Sequence, residues 1–260
     1  MKLTWRCTRR LVAVTLVAAA TMFTDAPVFS AAAVTIWPIN PVITDGARAT
    51  AVWLENTSSN AVTMQIRVLR WSQDAGIDKL EDAEGLVIAS PPLATIAPGR
   101  RQLVRLVSTV PAPAGRELAF RILIDELPNV GSTGPAAKAP EGYLGVTFRM
   151  RYSVPLFVYG RGLAPRLQGN SEEPVPLTWW VAESPQGPAL LVRNPSERHV
   201  RLSKARLVSP RRVVDVAPGL LGYVLPGTEM RWLLPPRVDI SADDVLEVIV
   251  SHTLTTIPRS

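Results

Sequence analysis

The residues that could carry out catalysis or bind a metal are few in this sequence and stand far apart. His199 and His252 are the only histidines, and the one cysteine is Cys7. The chain has neither a G-x-S-x-G motif, which would mark a hydrolase nucleophile, nor a glycine-rich phosphate loop. Without further Cys or His side chains, a zinc ion would have almost no ligands. The sequence therefore predicts no enzyme, no metal site and no cofactor, and we expect both histidines to be surface strand residues.

A cluster of carboxylates at residues 72–85 is the other candidate for metal chemistry. Its members are Asp74, Asp78, Glu81, Asp82 and Glu84. Their spacing does not match that of a calcium-binding EF-hand loop. We therefore predict a solvated polar loop over these residues rather than a calcium site.

Residues 144–153 are instead suited to the chemistry of backbone pairing, because apolar side chains alternate there with small or polar ones. One face carries Leu144, Val146, Phe148, Met150 and Tyr152, and the other carries Gly145, Thr147, Arg149, Arg151 and Ser153. This period of two predicts a strand with one apolar face. Residues 128–140, just upstream, are rich in Gly, Pro and Ala. Two interpretations remain open at this point: an element that pairs with another protein, and an ordinary sandwich strand after a long loop.

The elements that must position this strand are short strands throughout. The chain has 24 prolines and 16 glycines, spread between runs rich in Val, Leu and Ile, which is typical of an all-β protein with many turns. In the first half, an extended segment at residues 34–44 is broken by Pro38 and Pro41, and strands are predicted at 49–56, 61–71, 86–89, 101–109, 117–127 and 144–159. In the second half they are predicted at 175–182, 189–194, 199–208, 212–216, 220–224, 229–234 and 245–254. Two β-sandwich domains accommodate this pattern.

The N-terminal 32 residues have the pattern of a secretory signal peptide. Lys2, Arg6, Arg9 and Arg10 precede an apolar run at residues 11–23, which is too short to span a bilayer, and small residues follow at 30–33. Removal of this segment would take away four of the 28 basic and one of the 22 acidic residues and leave a net charge of +3. It would also remove the cysteine. We therefore expect an exported protein with no nucleic-acid partner and no stable membrane insertion; the periplasm as its location is what the resemblance described next implies.

Residues 87–107, VIASPPLATIAPGRRQLVRLV, resemble the signature of the periplasmic pilus-assembly chaperones of the chaperone–usher family. In that signature a Pro-Pro pair precedes an apolar-x-Pro-Gly turn and a strand that ends apolar-Arg-Leu. Further matches follow in order at residues 42–46, 117–128, 151–162 and 191–201. The resemblance covers nearly all of the chain after residue 32, and the Pro-Pro stretch is its most specific part. We also expect a cis peptide bond at Ser90-Pro91-Pro92.

The resemblance implies an all-β fold of two immunoglobulin-like β-sandwich domains in a boomerang arrangement. It divides the chain into a signal peptide at 1–32, an N-terminal chaperone domain at 33–158, a linker at 159–164 and a C-terminal domain at 165–260. It implies a chaperone that binds and stabilises pilus subunits by donor-strand complementation, and delivers them to an outer-membrane usher without any nucleotide. The donor strand that binds the subunit would present Leu144, Val146, Phe148 and Met150.

The resemblance fails at the site that holds the subunit's terminal carboxylate. Two basic residues form that site in the familiar members, whereas Pro41 and Pro155 occupy the aligned positions here and cannot form ion pairs. The sequence RYSVPLFV at residues 151–158 is similar instead to the archaic, spore-coat-U-related branch. Candidates for the carboxylate anchor or cleft are Arg105, Glu126, Arg149 and Arg151, with Arg101 a weaker choice. The alternatives are a structural cleft ion pair for Arg105 with Glu126, and a solvated outer face for Arg149 and Arg151.

Two other classes of function stay open from the sequence. One is a structural or adhesive pilus component built of β-sandwich domains, although such subunits carry a donor extension at the mature N-terminus. The other is a secreted hydrolase, for which no nucleophile and base are found. The unprotected apolar strand also leaves open whether the free protein self-associates through it. The sequence names neither the client subunit nor the usher.

Overall fold

The computed structural model describes residues 34–128, 149–166, 175–235, 240–241, 243–257 and 259. Within these ranges the chain forms strands and no helix, as an all-β fold requires. The strands are β1 (Val34–Trp37), β2 (Val42–Ile43), β3 (Ala49–Asn56), β4 (Val62–Asp74), β5 (Ile77–Asp82), β6 (Val87–Ser90), β7 (Leu93–Ile96), β8 (Arg101–Ser108), β9 (Glu117–Leu127), β10 (Arg151–Tyr159), β11 (Thr178–Ser184), β12 (Gly187–Arg193), β13 (Val200–Ser209), β14 (Arg212–Val224), β15 (Glu229–Leu233), β16 (Val245–Val250) and β17 (Thr253–Ile257).

Strands β1 to β10 form a first sandwich of two facing sheets. One sheet has the order β1-β3-β8-β6; the other has the order β2-β10-β9-β4-β5, with β7 also pairing with β4. Alternate residues of the central strands are fully buried between the sheets, among them Leu54, Val104, Ile122 and Leu156. A period of two places these side chains on one face of each strand. The first sandwich therefore has its own hydrophobic core.

Near its start, the chain passes from one sheet to the other at Pro38 and Pro41. β1 pairs with β3 in one sheet, whereas β2 pairs with β10 in the other. Pro38 and Pro41 lie between the two strands, and the Trp37–Pro38 peptide bond is cis. The Ser90–Pro91 bond is cis as well, which confirms the expectation for that stretch.

Strands β11 to β17 form a second sandwich with a separate core. Its sheets have the orders β11-β12-β15 and β14-β13-β16-β17. Trp179 is fully buried between them, and its indole N–H donates to the Ile257 carbonyl at 2.8 Å. The indole therefore buries a large apolar surface without leaving its one polar group unpaired.

A buried asparagine side chain stabilises one turn in each sandwich. Asn56 and Asn194 are both fully buried, and the amide nitrogen of each donates to backbone carbonyls across the turn. The amide oxygen of each accepts the backbone N–H two residues on, from Ser58 at 3.0 Å and from Ser196 at 3.1 Å. Buried backbone groups need such partners. The two sandwiches therefore stabilise a turn in the same way.

The structure differs from the predicted elements in four places. The predicted polar loop at residues 72–85 is wrong, because most of it is the hairpin of β4 and β5 around a turn at Ala75 and Gly76. β5 is exposed along its whole length, so no apolar alternation marks it. The strand β7 was not predicted, β14 is one strand rather than two, and the last predicted strand is the hairpin of β16 and β17.

We predict that Gly160→Ala lowers the free energy of unfolding by about 1–3 kcal/mol or more, because the new methyl group would meet backbone. A Cβ at this position would lie 1.8 Å from the Pro113 carbonyl oxygen, and the Gly160 N–H is held by the Arg116 carbonyl at 2.9 Å. Urea unfolding of both proteins measures the loss. Gly219→Ala is the control, since nothing lies within 4 Å of its Cβ. Equal midpoints for the two variants would contradict the prediction.

Candidate functional site

The main feature of the candidate site is an open edge along β10. All nine residues of β10 pair with β9, whereas on its other side β2 pairs only with Phe157 and Val158. For Arg151 to Leu156, the described part of the chain supplies no second partner strand. Unpaired N–H and C=O groups along such an edge are a template for adding another strand.

Of the four predicted donor residues, only Met150 belongs to the described part of the chain. Its side chain is 39 % exposed, and its backbone carbonyl accepts the Glu126 N–H at 2.9 Å. Glu126 also accepts the Met150 N–H on its side-chain carboxylate at 3.1 Å. Leu144, Val146 and Phe148 lie outside the described residues. Met150 directly precedes β10, and the donor strand stays a prediction.

Arg151 forms an ion-pair triad on the outer face of the same sheet. Its guanidinium donates to one oxygen of Asp125, and Arg67 donates to the other at 2.7 Å. Burial alone would raise the pKa of Asp125, but the hydrogen bonds and charges of Arg151 and Arg67 outweigh it and hold the pKa below its usual range. Arg151 therefore has an ion-pair partner within the sandwich, and its role as an anchor stays a prediction.

The other predicted anchor residues are not brought together. Arg105 is exposed on β8 and Glu126 lies on β9 in the opposite sheet, and no ion pair joins them among the described residues. Arg149 is exposed at the start of the described segment 149–166. Arg101, the weaker candidate, pairs with Glu55 at 3.2 Å and lies over the Trp37 ring. The carboxylate anchor therefore remains a prediction without a single assigned residue.

A buried amide, Gln73, connects the two sandwiches. Its nitrogen donates to the Tyr223 carbonyl and to Asp78, both at 2.9 Å, and its oxygen accepts from the Leu225 N–H and the Thr228 hydroxyl, both at 2.8 Å. Trp71 packs beside it against Phe157 and Tyr223. Gln73 was missed in the sequence because its function depends on backbone groups about 150 residues away.

His199 also lies at this contact, so the expectation that it is a surface strand residue is wrong. Its imidazole stacks on Phe157 with centroids 3.5 Å apart and contacts the fully buried Glu117 carboxylate at 2.9 Å. Glu117 also hydrogen-bonds Tyr159, whose phenol pKa is raised mainly by burial. The other histidine, His252, is exposed in the turn between β16 and β17 rather than in a strand. Neither arrangement resembles a nucleophile and its base.

Arg121 adds a half-buried cation to the same contact. Its guanidinium lies 3.7 Å from the Trp71 ring centroid and 5.4 Å from that of Tyr223. Burial lowers the pKa of Arg121, while Asp78 and Tyr223 partly offset this effect. Arg121 lies on β9, and the residue that pairs with it on β10 is Pro155. Cation–π contacts of this kind gain strength when water is excluded.

A cleft of about 260 Å³ lies beside this contact and has a basic lining. Arg166, Arg198 and Arg201 line it together with both histidines, and no Asp or Glu is among its lining residues. Pro41 and Pro155, the positions of the missing basic pair, are both buried. None of the residues that the structure describes forms a helix with the length and apolarity that crossing a membrane would need.

We predict that Gln73→Leu destabilises the contact between the sandwiches. The substitution leaves the buried N–H of Leu225 and the carbonyl of Tyr223 without their partner, at a cost of about 1–3 kcal/mol for each unsatisfied group. Chemical unfolding followed by Trp fluorescence measures the loss. Gln65→Leu is the control, because Gln65 lies on the same strand and its side chain makes no hydrogen bond within the described ranges. A Gln73→Leu protein as stable as the control would refute this role.

A second prediction concerns pH and the triad around Asp125. Because its folded-state pKa is depressed, the stabilisation it gives is present above the unfolded pKa of about 3.9 and disappears as the pH falls through the folded value. Asp125→Asn should therefore cost about 1 kcal/mol at pH 7 and progressively less as the pH falls below about 3.9. Urea titrations at several pH values measure this, with the exposed Asp45→Asn as control. A pH-independent difference would contradict the ion-pair assignment.

Comparison with known proteins identifies the family. Residues 34–164 match the model of the pili and flagellar-assembly chaperone family, PapD N-terminal domain. No curated protein sequence matches the chain.

Solved structures give a similar result. The chain is similar to a structure of the CsuC–CsuE chaperone–tip adhesion subunit pre-assembly complex from archaic chaperone–usher Csu pili of Acinetobacter baumannii, with 31% identity over 88% of this chain and 100% of that chain and a TM-score of 0.67. The CupB2 chaperone of Pseudomonas aeruginosa shares the fold at 18% identity, over 87% of this chain and 100% of that chain, with a TM-score of 0.57. The E. coli chaperone DraB also shares the fold, at 17% identity over 88% of this chain and 100% of that chain, with a TM-score of 0.56. With its two immunoglobulin-like sandwiches, the chain belongs to the pili and flagellar-assembly chaperone family.

Proposed function

We propose that this protein is a periplasmic chaperone that holds pilus subunits by donating a strand to them and delivers them to an outer-membrane usher. The observation that carries the proposal is the open edge of β10, which is paired by β9 on one side and by β2 only at its far end. The alternating residues 144–150 lead directly into this strand. Family membership favours a chaperone over a structural pilus component.

The physical basis of holding is the completion of an unfinished sandwich. A subunit that lacks one strand exposes apolar side chains and unpaired backbone groups, and is therefore prone to aggregate. An added strand supplies main-chain hydrogen bonds, and every second side chain fills a pocket in the subunit. The alternating residues 144–150 suit both tasks, because their apolar side chains share one face of the predicted strand and their backbone groups lie along its edge.

The magnitude of the side-chain contribution is sufficient for tight binding. Burial of Leu144, Val146, Phe148 and Met150 contributes about 1.5–3 kcal/mol each, or about 6–12 kcal/mol together, before the cost of ordering the segment. Such a complex is stable, yet another strand of better fit can still replace the donor. We infer that subunit folding at the usher, rather than nucleotide hydrolysis or any enzymatic step, drives release.

The matched complex supports the choice of client. In that crystal structure, the chaperone of an archaic system is held with a tip adhesion subunit before assembly. The present chain matches it at 31% identity over 88% of its length. We extend the same class of partner, a pilus subunit, to this protein.

We expect Phe148→Asp to abolish capture of a pilus subunit, because a carboxylate would have to be buried in an apolar pocket. The test co-expresses the tagged full-length chain in a periplasm with the pilus subunit encoded nearest to it, and measures soluble subunit after pull-down. Thr147→Asp is the matched control, since it adds the same charge on the opposite face of the strand.

The outcomes separate the alternatives. Capture by wild type and Thr147→Asp, but not by Phe148→Asp, is the expected result. Capture by all three proteins would keep a binding function and remove the donor strand from residues 144–150. Capture by none of them, with the chaperone correctly folded, would overturn the proposed function.

A further inference from the structure

The backbone groups of β10 point alternately to its two sides, and two hydrogen bonds fix which residues point where. The Glu126 N–H donates to the Met150 carbonyl at 2.9 Å. The backbone N–H and C=O groups of the even-numbered residues of β10 therefore point toward β9, and those of the odd-numbered residues point away from it. The Phe157 N–H confirms this, because it donates to the Pro41 carbonyl, next to β2, at 3.4 Å.

Of the odd-numbered residues from Arg151 to Phe157, only two have an N–H that remains available on the open side. Arg151 and Ser153 are odd-numbered and exposed, and no hydrogen bond of their N–H groups to a described residue is found. The next odd-numbered residue is Pro155, which has no N–H. The one after it, Phe157, has already donated its N–H to Pro41.

Burial changes at the same place along the strand. Ser153 is exposed, whereas every residue from Val154 to Tyr159 is buried. An ordinary residue at position 155 would therefore present a buried N–H on this side, where the Pro41 carbonyl is already engaged by Phe157. A buried N–H without an acceptor is costly, and proline removes the donor instead. Prolines at sheet edges commonly limit strand addition in this way.

We propose that Pro155 ends the strand-adding edge, so that a client strand pairs with β10 only as far as Ser153. The occupant is an extended strand of the pilus subunit, and the inference rests on the proposed function. The ladder then takes its last two chaperone N–H donors from Arg151 and Ser153. β2 and the buried residues beyond Val154 keep the incoming strand away from the contact between the sandwiches.

The first test removes the last donor. Ser153→Pro deletes an N–H that faces away from β9, so the β9 ladder and the fold should survive. Retention of the co-expressed pilus subunit should fall roughly threefold to tenfold, the loss expected for one unmade hydrogen bond. Circular dichroism and thermal unfolding of the purified full chain verify that the variant is folded.

Leu80→Pro is the matched control at the opposite edge of the same sheet. The two-residue turn of Ala75 and Gly76 makes Asp74 and Ile77 a hydrogen-bonded pair, and such pairs alternate along the hairpin with pairs that are not hydrogen-bonded. Leu80 is three residues beyond Ile77 and belongs to a pair of the second kind, so its N–H points away from β4. Capture by this variant should equal that of wild type. If Ser153→Pro is folded and retains the subunit as well as Leu80→Pro does, the proposal is refuted.

Hydrogen exchange of the backbone amides gives a second, independent measurement. In the free protein, Arg151 and Ser153 should exchange at least tenfold faster than Val154 and Phe157. In the purified complex with the subunit, protection should rise at Arg151 and Ser153 and stay unchanged at Phe157. A gain of protection at Phe157 on binding would show that the client strand passes Pro155, and would overturn the inference.

Failure of the proposed function gives a different result. If wild type captures no subunit, the proposed function is wrong and the client assignment falls with it, while the exchange pattern of the free protein still reports the open edge. If Ser153 becomes protected in the free protein as its concentration rises, the edge pairs with a second copy, and a client strand is not its natural occupant.

Discussion

The unequal pairing of β10 is the constraint on which the structure's function depends. A strand inside a sheet satisfies its backbone groups on both sides, and β10 does so only at Phe157 and Val158, where β2 reaches it. From Arg151 to Leu156, its other side has no partner strand among the described residues. Because unpaired backbone groups are an aggregation risk, the length of such an edge has to be limited. Pro155 and the change from exposed to buried residues at Val154 provide this limit.

The second sandwich stabilises the region in which that edge ends. Gln73, on the first sandwich, has all of its hydrogen-bonding groups satisfied, three of its four bonds being to the second. His199 makes a further contact across the same surface with the buried Glu117 carboxylate. The His199 imidazole also stacks on Phe157, which belongs to β10. The strand with the open edge is therefore also part of the contact between the sandwiches.

The cation distribution differs from the one that the family resemblance implies. Proline replaces the expected basic residues at 41 and 155. Positive charge is instead found on Arg121, which stacks on Trp71 opposite Pro155, and on the arginines that line the neighbouring cleft. Arg151 is held by Asp125 on the outer face. Arg121 and Arg151 thus have structural partners in this protein.

The sequence by itself determined the all-β class, the two sandwiches and most strands of the first, because their buried faces repeat with a period of two. Glu117–Leu127 and Ala49–Asn56 were predicted with their observed bounds. It could not reveal β5, whose residues are all exposed and which is defined only by backbone pairing with β4. Nor could it place His199 or Gln73, since their partners lie 82 and about 150 residues away along the chain. The tertiary structure alone decided which side of β10 is open, because strand order and hydrogen-bond direction depend on contacts between distant segments and leave no periodic pattern in the sequence.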